Sequence, residues 1–321
     1  MKKVTASAPG KLMLMGEHSV VYGHPCIVTA VDQRLKVTVT RNGEDIFYLE
    51  APNLDLTTYS KTIDDLGKKP LPKSVRFIET LYKNFLQKHP QDTSIHVTTN
   101  SEFSSYVGFG SSSAVTVAFA KALTEMYGIH LTKKELFDLC YETVIEVQGV
   151  GSGFDLAAAI WGGTIYYVTP AKEIEELDFS SASLIVGYTG IKADTPTLVR
   201  MVRGLKQENP GKINQIFNKI SVLVEQGREA IKDHEWAKLG ELMNKNQDLL
   251  RKIQVSTKEL EDLIGSANKA GALGAKLSGA GGGDCMLALV DKDNQEQIKQ
   301  AINQSGEVIS VGLHAQGVML H

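Results

Sequence analysis

Apolar and polar positions alternate in short runs through the first fifty residues, then give way to three- and four-residue spacings. Strand-like runs fall at 4–8, 12–15, 26–30 and 35–40, each bounded by Gly, Pro or Asp, and predict a β-rich entry layer. Helical spacing follows at 75–87, 112–127 and 133–147, with a strand-like run at 94–98 between the first two. A further strand, 164–168, leads into a weakly apolar, acidic stretch at 169–182, where the natural seam between two units lies. Beyond it, Ile213, Ile216, Ile220, Leu223 and Val224 keep helical spacing, and so do Trp236, Leu239, Leu242, Met243 and Leu249. A third helix is predicted over 257–270, with Ser256 as its cap, Glu259 completing a capping box, and Gly271 as its stop. Strands at 274–278 and 285–290, a helix over 294–304 and a strand at 308–313 complete an α+β pattern, without the regular βαβ winding of a parallel sheet.

Length and composition narrow the function. A chain of 321 residues with 42% hydrophobic residues suits two domains or one large two-layer unit. A net charge of −3 gives no basic face for nucleic acid. The three cysteines, Cys26, Cys140 and Cys285, are too few and too scattered for a disulfide framework or zinc-ligand pairs, which fits a reduced setting. No apolar run approaches membrane-spanning length, and the amino terminus lacks the apolar core of a signal peptide, so a cytoplasmic chain without membrane contact is expected.

Candidate chemistry gathers in three glycine-rich turns. The middle one, Gly108-Phe109-Gly110-Ser111-Ser112-Ser113-Ala114, opens an apolar helix, and loop amides at a helix amino end make an anion site. An N-cap cluster is the plainer reading of those serines. The loop closes without Gly-Lys-Ser/Thr and lacks the third glycine of a dinucleotide fingerprint, which disfavours both common nucleotide folds. The last turn, running from Lys276 through Asp284, holds four glycines in five positions between apparent strands, more than a hairpin requires. The first turn offers Lys11 after Pro9-Gly10, then Glu17-His18 after an apolar run. Asp155 follows a fourth glycine-rich stretch, 149–153, and sits in the first turn of an apolar helix, where the helix dipole favours an ionised carboxylate. Such a carboxylate beside a hydroxyl and a lysine suits phosphoryl transfer.

Three motifs in this order resemble the GHMP small-molecule kinases over nearly the whole chain. Within that superfamily, the run from Gly16-Glu17-His18 to Tyr22-Gly23-His24-Pro25 is most similar to the mevalonate kinase family, as are Met243 to Leu250, Ala270 to Lys276, and the threonine loop Thr189 to Thr195. The resemblance implies the GHMP two-domain fold, with an amino-terminal ATP-binding α/β domain over 1–175 and a carboxy-terminal ferredoxin-like α+β domain over 176–321. It further implies ATP and Mg2+ in the cleft, phosphate transfer to the 5-hydroxyl of mevalonate, and a homodimer. Asp155 then becomes the catalytic carboxylate, and Lys11 its partner, lowering the effective pKa of the hydroxyl. Gly108, Gly110, Ser111, Ser112 and Ser113 would hold the phosphates, with Ser112 also at the magnesium. Glu17, His18, Thr195 and Gly281 would lie towards the substrate.

Three departures accompany the resemblance. Residues 104–107, Ser-Ser-Tyr-Val, replace the usual Pro-x-Gly-Ala approach to the phosphate loop. The family's metal-binding glutamate falls at Val144, so either Glu146 or Glu142 takes its part or that ligand is missing. The segments 148–155 and 278–285 are similar to phosphomevalonate kinases, whose phosphorylated acceptor calls for further cations such as Lys192, Arg200 and Arg203. A GHMP-fold metabolite sensor without turnover is the remaining alternative.

Overall fold

The computed structural model describes residues 2–54, 56–91, 94–104 and 107–321. Its first sheet has eight strands: β1 (Lys3–Met15), β2 (Cys26–Arg41), β3 (Ile46–Ala51), β4 (Leu56–Thr62), β5 (Ile95–Ser101), β6 (Thr164–Val168), β7 (Glu173–Leu177) and, returning from the far end of the chain, β12 (Met319–Leu320). The order is β12-β1-β2-β5-β3-β4, with β6 on the first half of β2 and β7 beside β6. Only β3 and β5 run parallel.

The four short strands expected at the start are two long ones. Pro9 and Gly10 had the look of a break, but they pair with Arg34 and Val31, and Asp32 and Gln33 are the extra residues of a bulge on β2. A bulge tolerates proline, which has no N–H to give a ladder. The sequence predicted neither β3, a nearly continuous apolar run (IFYLEA) with little alternation, nor β4 (LTTYSKT), where polar residues dilute the alternation.

Four helices accompany this sheet: α1 (Arg76–Lys88), α2 (Ser111–Met126), α3 (Lys133–Gln148) and α4 (Phe154–Trp161). α2 lies across β1 and β2, and its Val117, Ala118, Phe119, Ala122 and Leu123 are all buried. A helix apolar on most of its surface belongs at the centre of a layered unit, where burial of a side chain such as Phe119 stabilises by about 1.5–3 kcal/mol. The core therefore fixes where the amino end of α2 emerges.

The second sheet is antiparallel, in the order β11 (Glu307–Ile309), β8 (Ser183–Tyr188), β10 (Cys285–Val290), β9 (Gly274–Ser278). α5 (Thr195–Glu208) packs on α6 (Pro210–Lys232), which lies against β1, β2 and β7 of the first sheet, and α7 (Trp236–Lys252), α8 (Lys258–Lys269) and α9 (Gln295–Asn303) pack on the second. Two local expectations need correction. α8 is capped by Thr257, whose hydroxyl accepts from Leu260 N at 3.4 Å, whereas the Ser256 hydroxyl is drawn to Glu261 at 2.5 Å. The strand expected at 308–313 is confined to Glu307–Ile309, and Leu313 forms an isolated bridge to Val31.

The acidic stretch 169–182, read as a seam, contains β7 and so still belongs in part to the first sheet. The division at 175/176 cuts through that strand, and β12 brings residues after 176 back beside β1. We propose keeping two units but counting β7 and the carboxy-terminal tail with the first.

Candidate active site

The phosphate-loop candidate is built by α2. Gly110 adopts a left-handed conformation (φ 77°) and its carbonyl accepts from Ser113 N at 3.0 Å and Ala114 N at 3.1 Å. The earliest amides of a helix have no acceptor within it, so those at and before Ser112 stand at the open, electropositive end. Gly108 is also left-handed (φ 72°), and a Cβ there would lie 2.6 Å from the Asp284 Oδ2. Only glycine fits between the loop and that carboxylate. Ser111 and Ser112 are half-buried and Ser113 is buried, while the Ser112 carbonyl is held by the Thr116 hydroxyl at 2.7 Å. Of the unusual approach at 104–107, Ser105 and Tyr106 lie outside the described residues.

Strand β1 delivers Lys11 to the same place. Its backbone N–H donates to the Phe109 carbonyl at 3.0 Å, and its ammonium lies 3.2 Å from both Asp155 Oδ1 and the Gly108 carbonyl. Asp155 stands in the first turn of α4, after Gly153 (φ 82°), and the turn before it is held where the Tyr167 and Thr169 hydroxyls both donate to Ser152 O at 2.6 Å. The lysine side chain is 9% exposed and the carboxylate 30%, so the pair is shielded but open on the carboxylate side. One cation thus links a reachable carboxylate to the phosphate loop.

A second acid–lysine pair lies deeper. Glu17 and Lys276 are both fully buried and ion-paired, and Asn246 adds a donor to Glu17 Oε2 at 3.4 Å. Burial pushes the Glu17 carboxyl up and the Lys276 ammonium down, and each is opposed by the charge of the other. The expectation that Glu17 faces a substrate is corrected accordingly: its side chain is sealed behind the third turn. His18 (φ 59°) is buried as well, donates from Nε2 to the Ala280 carbonyl at 2.9 Å and so reaches the third loop; burial lowers its pKa. Met13 N donates to the Ser278 hydroxyl at 2.8 Å, giving a third tie between the first and third turns.

Gly281 packs on residue 255, where a Cβ would come 2.1 Å from the Val255 carbonyl, so its role is close packing of the third loop. Thr195 is the exposed first residue of α5, one turn before Leu198, which packs against Gly282. Of the cations weighed for a phosphorylated acceptor, Arg200 donates to Thr197 Oγ1 at 2.7 Å and Arg203 lies beside the Tyr22 hydroxyl.

The proposed metal glutamates are committed elsewhere. Glu146 accepts from Lys83 at 2.5 Å and Asn84 at 2.8 Å, and Glu142 pairs with Lys88 at 2.7 Å, all across the α1–α3 contact. Val144 faces the turn before Asp155, with its Cγ1 3.1 Å from where a Gly151 Cβ would stand. Two positions along a helix is roughly 200° of rotation, so 142 and 146 look the other way. Among the described residues no group of three or more His, Cys, Asp or Glu could hold a metal ion. Magnesium in phosphoryl transfer takes only one or two protein oxygens and the rest from phosphates and water, so the Ser112 hydroxyl, half-buried in the first turn of α2, is a donor of the right chemistry.

The sequence alone did not single out Lys276, Asn246 or Asp284 for the site. Lys276 left a signal, a lysine within an otherwise apolar strand between Gly274 and Ser278; the other two left none.

An open helix amino end facing a lysine–carboxylate pair, beside a second α+β unit, has the layout of a small-molecule kinase. Residues 76–163 match the family model for the GHMP kinases N terminal domain, and residues 228–308 match that for GHMP kinases C terminal. A mevalonate kinase of Pyrococcus abyssi (strain GE5 / Orsay) is 37% identical over 316 residues, covering 94% of this chain and 93% of the relative. The chain belongs to the GHMP kinases, and within them to the mevalonate kinase family. The fold matches the crystal structure of Methanococcus jannaschii mevalonate kinase with a TM-score of 0.82 at 24% identity, over 100% of this chain and 99% of that one. It also matches L. major mevalonate kinase in complex with R-mevalonate, with a TM-score of 0.76 at 26% identity over 97% and 95% of the two chains.

Proposed function

We propose that the protein is an ATP-dependent kinase that phosphorylates the 5-hydroxyl of mevalonate, and that Asp155 and Lys11 carry the chemical step. The observation behind this reading is the Lys11 ammonium, 3.2 Å from both Asp155 and the Gly108 carbonyl. Asp155 accepts the hydroxyl proton as the acceptor oxygen forms its bond to the γ-phosphorus and the bond to the ADP oxygen breaks. Lys11 offsets negative charge on the reacting oxygens. Ser111, Ser112 and Ser113, with Gly108 and Gly110, hold the transferring phosphates at the positive end of α2. The Ser112 hydroxyl would hold magnesium, which would supply neutralisation of phosphate charge. His18 and Thr195 line the acceptor side, and Gly281 shapes the loop behind it. Positioning and fixed charge account for most of the catalysis in this scheme.

The comparison with the Pyrococcus relative supports mevalonate as acceptor, and Arg200 and Arg203 both have neighbours that occupy them, which weakens the case for a phosphorylated one. The decisive assay is ADP release with magnesium and mevalonate, 5-phosphomevalonate, galactose or homoserine as acceptor. Mevalonate should give the highest kcat/KM; release with none of them would favour a sensor. A homodimer and a cytoplasmic setting belong to the same reading and rest on the family resemblance. Among the described residues no helix is long and apolar enough to cross a membrane.

A further inference from the structure

Asp284 ends the third glycine turn in a left-handed conformation (φ 55°), a backbone state that costs a non-glycine residue free energy and persists where the surroundings enforce it. Four hydrogen bonds enforce it here, all to one segment, and one of them runs from the Thr189 hydroxyl to the Asp284 carbonyl at 3.1 Å. Asp284 N donates to the Ile191 carbonyl at 2.7 Å, Thr189 N donates to the Asp284 carbonyl at 3.0 Å, and Ala193 N donates to the carboxylate Oδ1 at 2.9 Å. The other carboxylate oxygen, Oδ2, lies against Gly108 so closely that no Cβ fits between them. The next residue repeats the pattern, since the Cys285 thiol donates to the Val107 carbonyl at 3.1 Å while its backbone pairs with Tyr188. Residues 284 and 285 therefore grip the phosphate loop at 107–108 on one side and the loop 189–193, which leads into Thr195, on the other.

We propose that Asp284 is a positioning residue that couples the phosphate loop to the loop 189–194, so that nucleotide and acceptor each favour binding of the other. This rests on the proposed function for the identity of the acceptor, though not for the coupling path itself. Gly108 lies against one oxygen of the Asp284 carboxylate and Ala193 N donates to the other, so a ligand that shifts or fixes the loop at 107–108 shifts or fixes the carboxylate and, through it, the loop at 193. A ligand that contacts one end of a rigid carboxylate changes the free energy of the contact at the other. Asparagine at 284 would keep the acceptor atom and tolerate the left-handed backbone; glycine would keep the backbone and lose both contacts.

The test compares wild type, Asp284→Asn and Asp284→Gly. Binding of the β,γ-imido analogue of ATP is measured by calorimetry with and without mevalonate, and hydrogen exchange is followed at amides 190–194 with the analogue alone. In wild type and Asp284→Asn, mevalonate should tighten analogue binding by on the order of 5-fold or more, and the analogue alone should slow exchange at 190–194. In Asp284→Gly the coupling should fall to about 1 and the exchange response should disappear, whatever change the substitution makes to either ligand's affinity alone. Coupling retained in Asp284→Gly, lost equally in Asp284→Asn, or absent from wild type would overturn the proposal. If wild type neither binds nor phosphorylates mevalonate, the functional reading fails, and the exchange arm still decides the clamp because it contains nucleotide alone.

Discussion

One lysine–carboxylate pair starts from β1 and another from just past its end, and their surroundings are opposite. Lys11–Asp155 keeps 30% of its carboxylate exposed and touches the phosphate loop; Glu17–Lys276 has no exposure at all and joins the first turn to strand β9. A reachable carboxylate can exchange protons and ligands. A sealed pair has already lost its hydration, which its mutual attraction must offset, and breaking it strands a charge. A lysine–carboxylate pair thus makes a proposed reaction centre in one place and a buried structural tie in the other, and burial is the difference between them.

The comparison breaks most visibly at Asp155. Asp155→Asn should lower kcat by about 10²–10⁴-fold while leaving analogue binding and unfolding midpoint close to wild type; turnover near the wild-type value would remove Asp155 from the chemistry. Lys11→Met should likewise act on kcat, and an effect confined to nucleotide affinity would deny it a part in the step itself.

At the sealed pair the expected loss is in stability. Lys276→Met should cost about 3–5 kcal/mol in urea unfolding, and adding Glu17→Gln should recover most of it because no buried charge is then left alone. A single-mutant cost below about 1 kcal/mol would mean that the pair behaves like a surface bridge.

His18 sharpens the boundary between the two regions, since it is buried yet reaches the third loop. Its folded-state pKa is lowered by burial, so below the ordinary histidine value of about 6.5 the unfolded chain takes up a proton that the folded chain resists. Stability should therefore fall as pH drops below that value towards the folded pKa, and the corresponding slope should be absent in His18→Gln when unfolding is followed from pH 7.5 to 5.

The smallest effect is expected on the far side of α3. Glu146→Gln removes a partly exposed bridge to Lys83 and should cost less than about 1 kcal/mol, with the magnesium dependence of turnover unchanged. A marked rise in the magnesium requirement would return Glu146 to the metal.

Much of this architecture was legible in the sequence. α2 and α3 were legible within a residue at either end because apolar periodicity is strong there, and β9 and β10 because short apolar runs flank a glycine turn. Strand fusion at Pro9-Gly10 was not, because a bulge and a chain break carry the same residue signals. The phosphate loop was visible as glycine and serine before a helix. What Glu142 and Glu146 face was not: their spacing puts them on one side of α3, and only the packing of α1 reveals which side.

The sequence by itself determined the α+β class, the three glycine turns, their order and the family, because these depend on local spacing and composition. Tertiary structure alone decided which charges stay reachable and which are buried, that Glu17 answers Lys276 across 259 positions, and that Asp284 stands between two loops. Those facts depend on distance and desolvation between segments remote in the chain, and neither leaves a periodic trace along it.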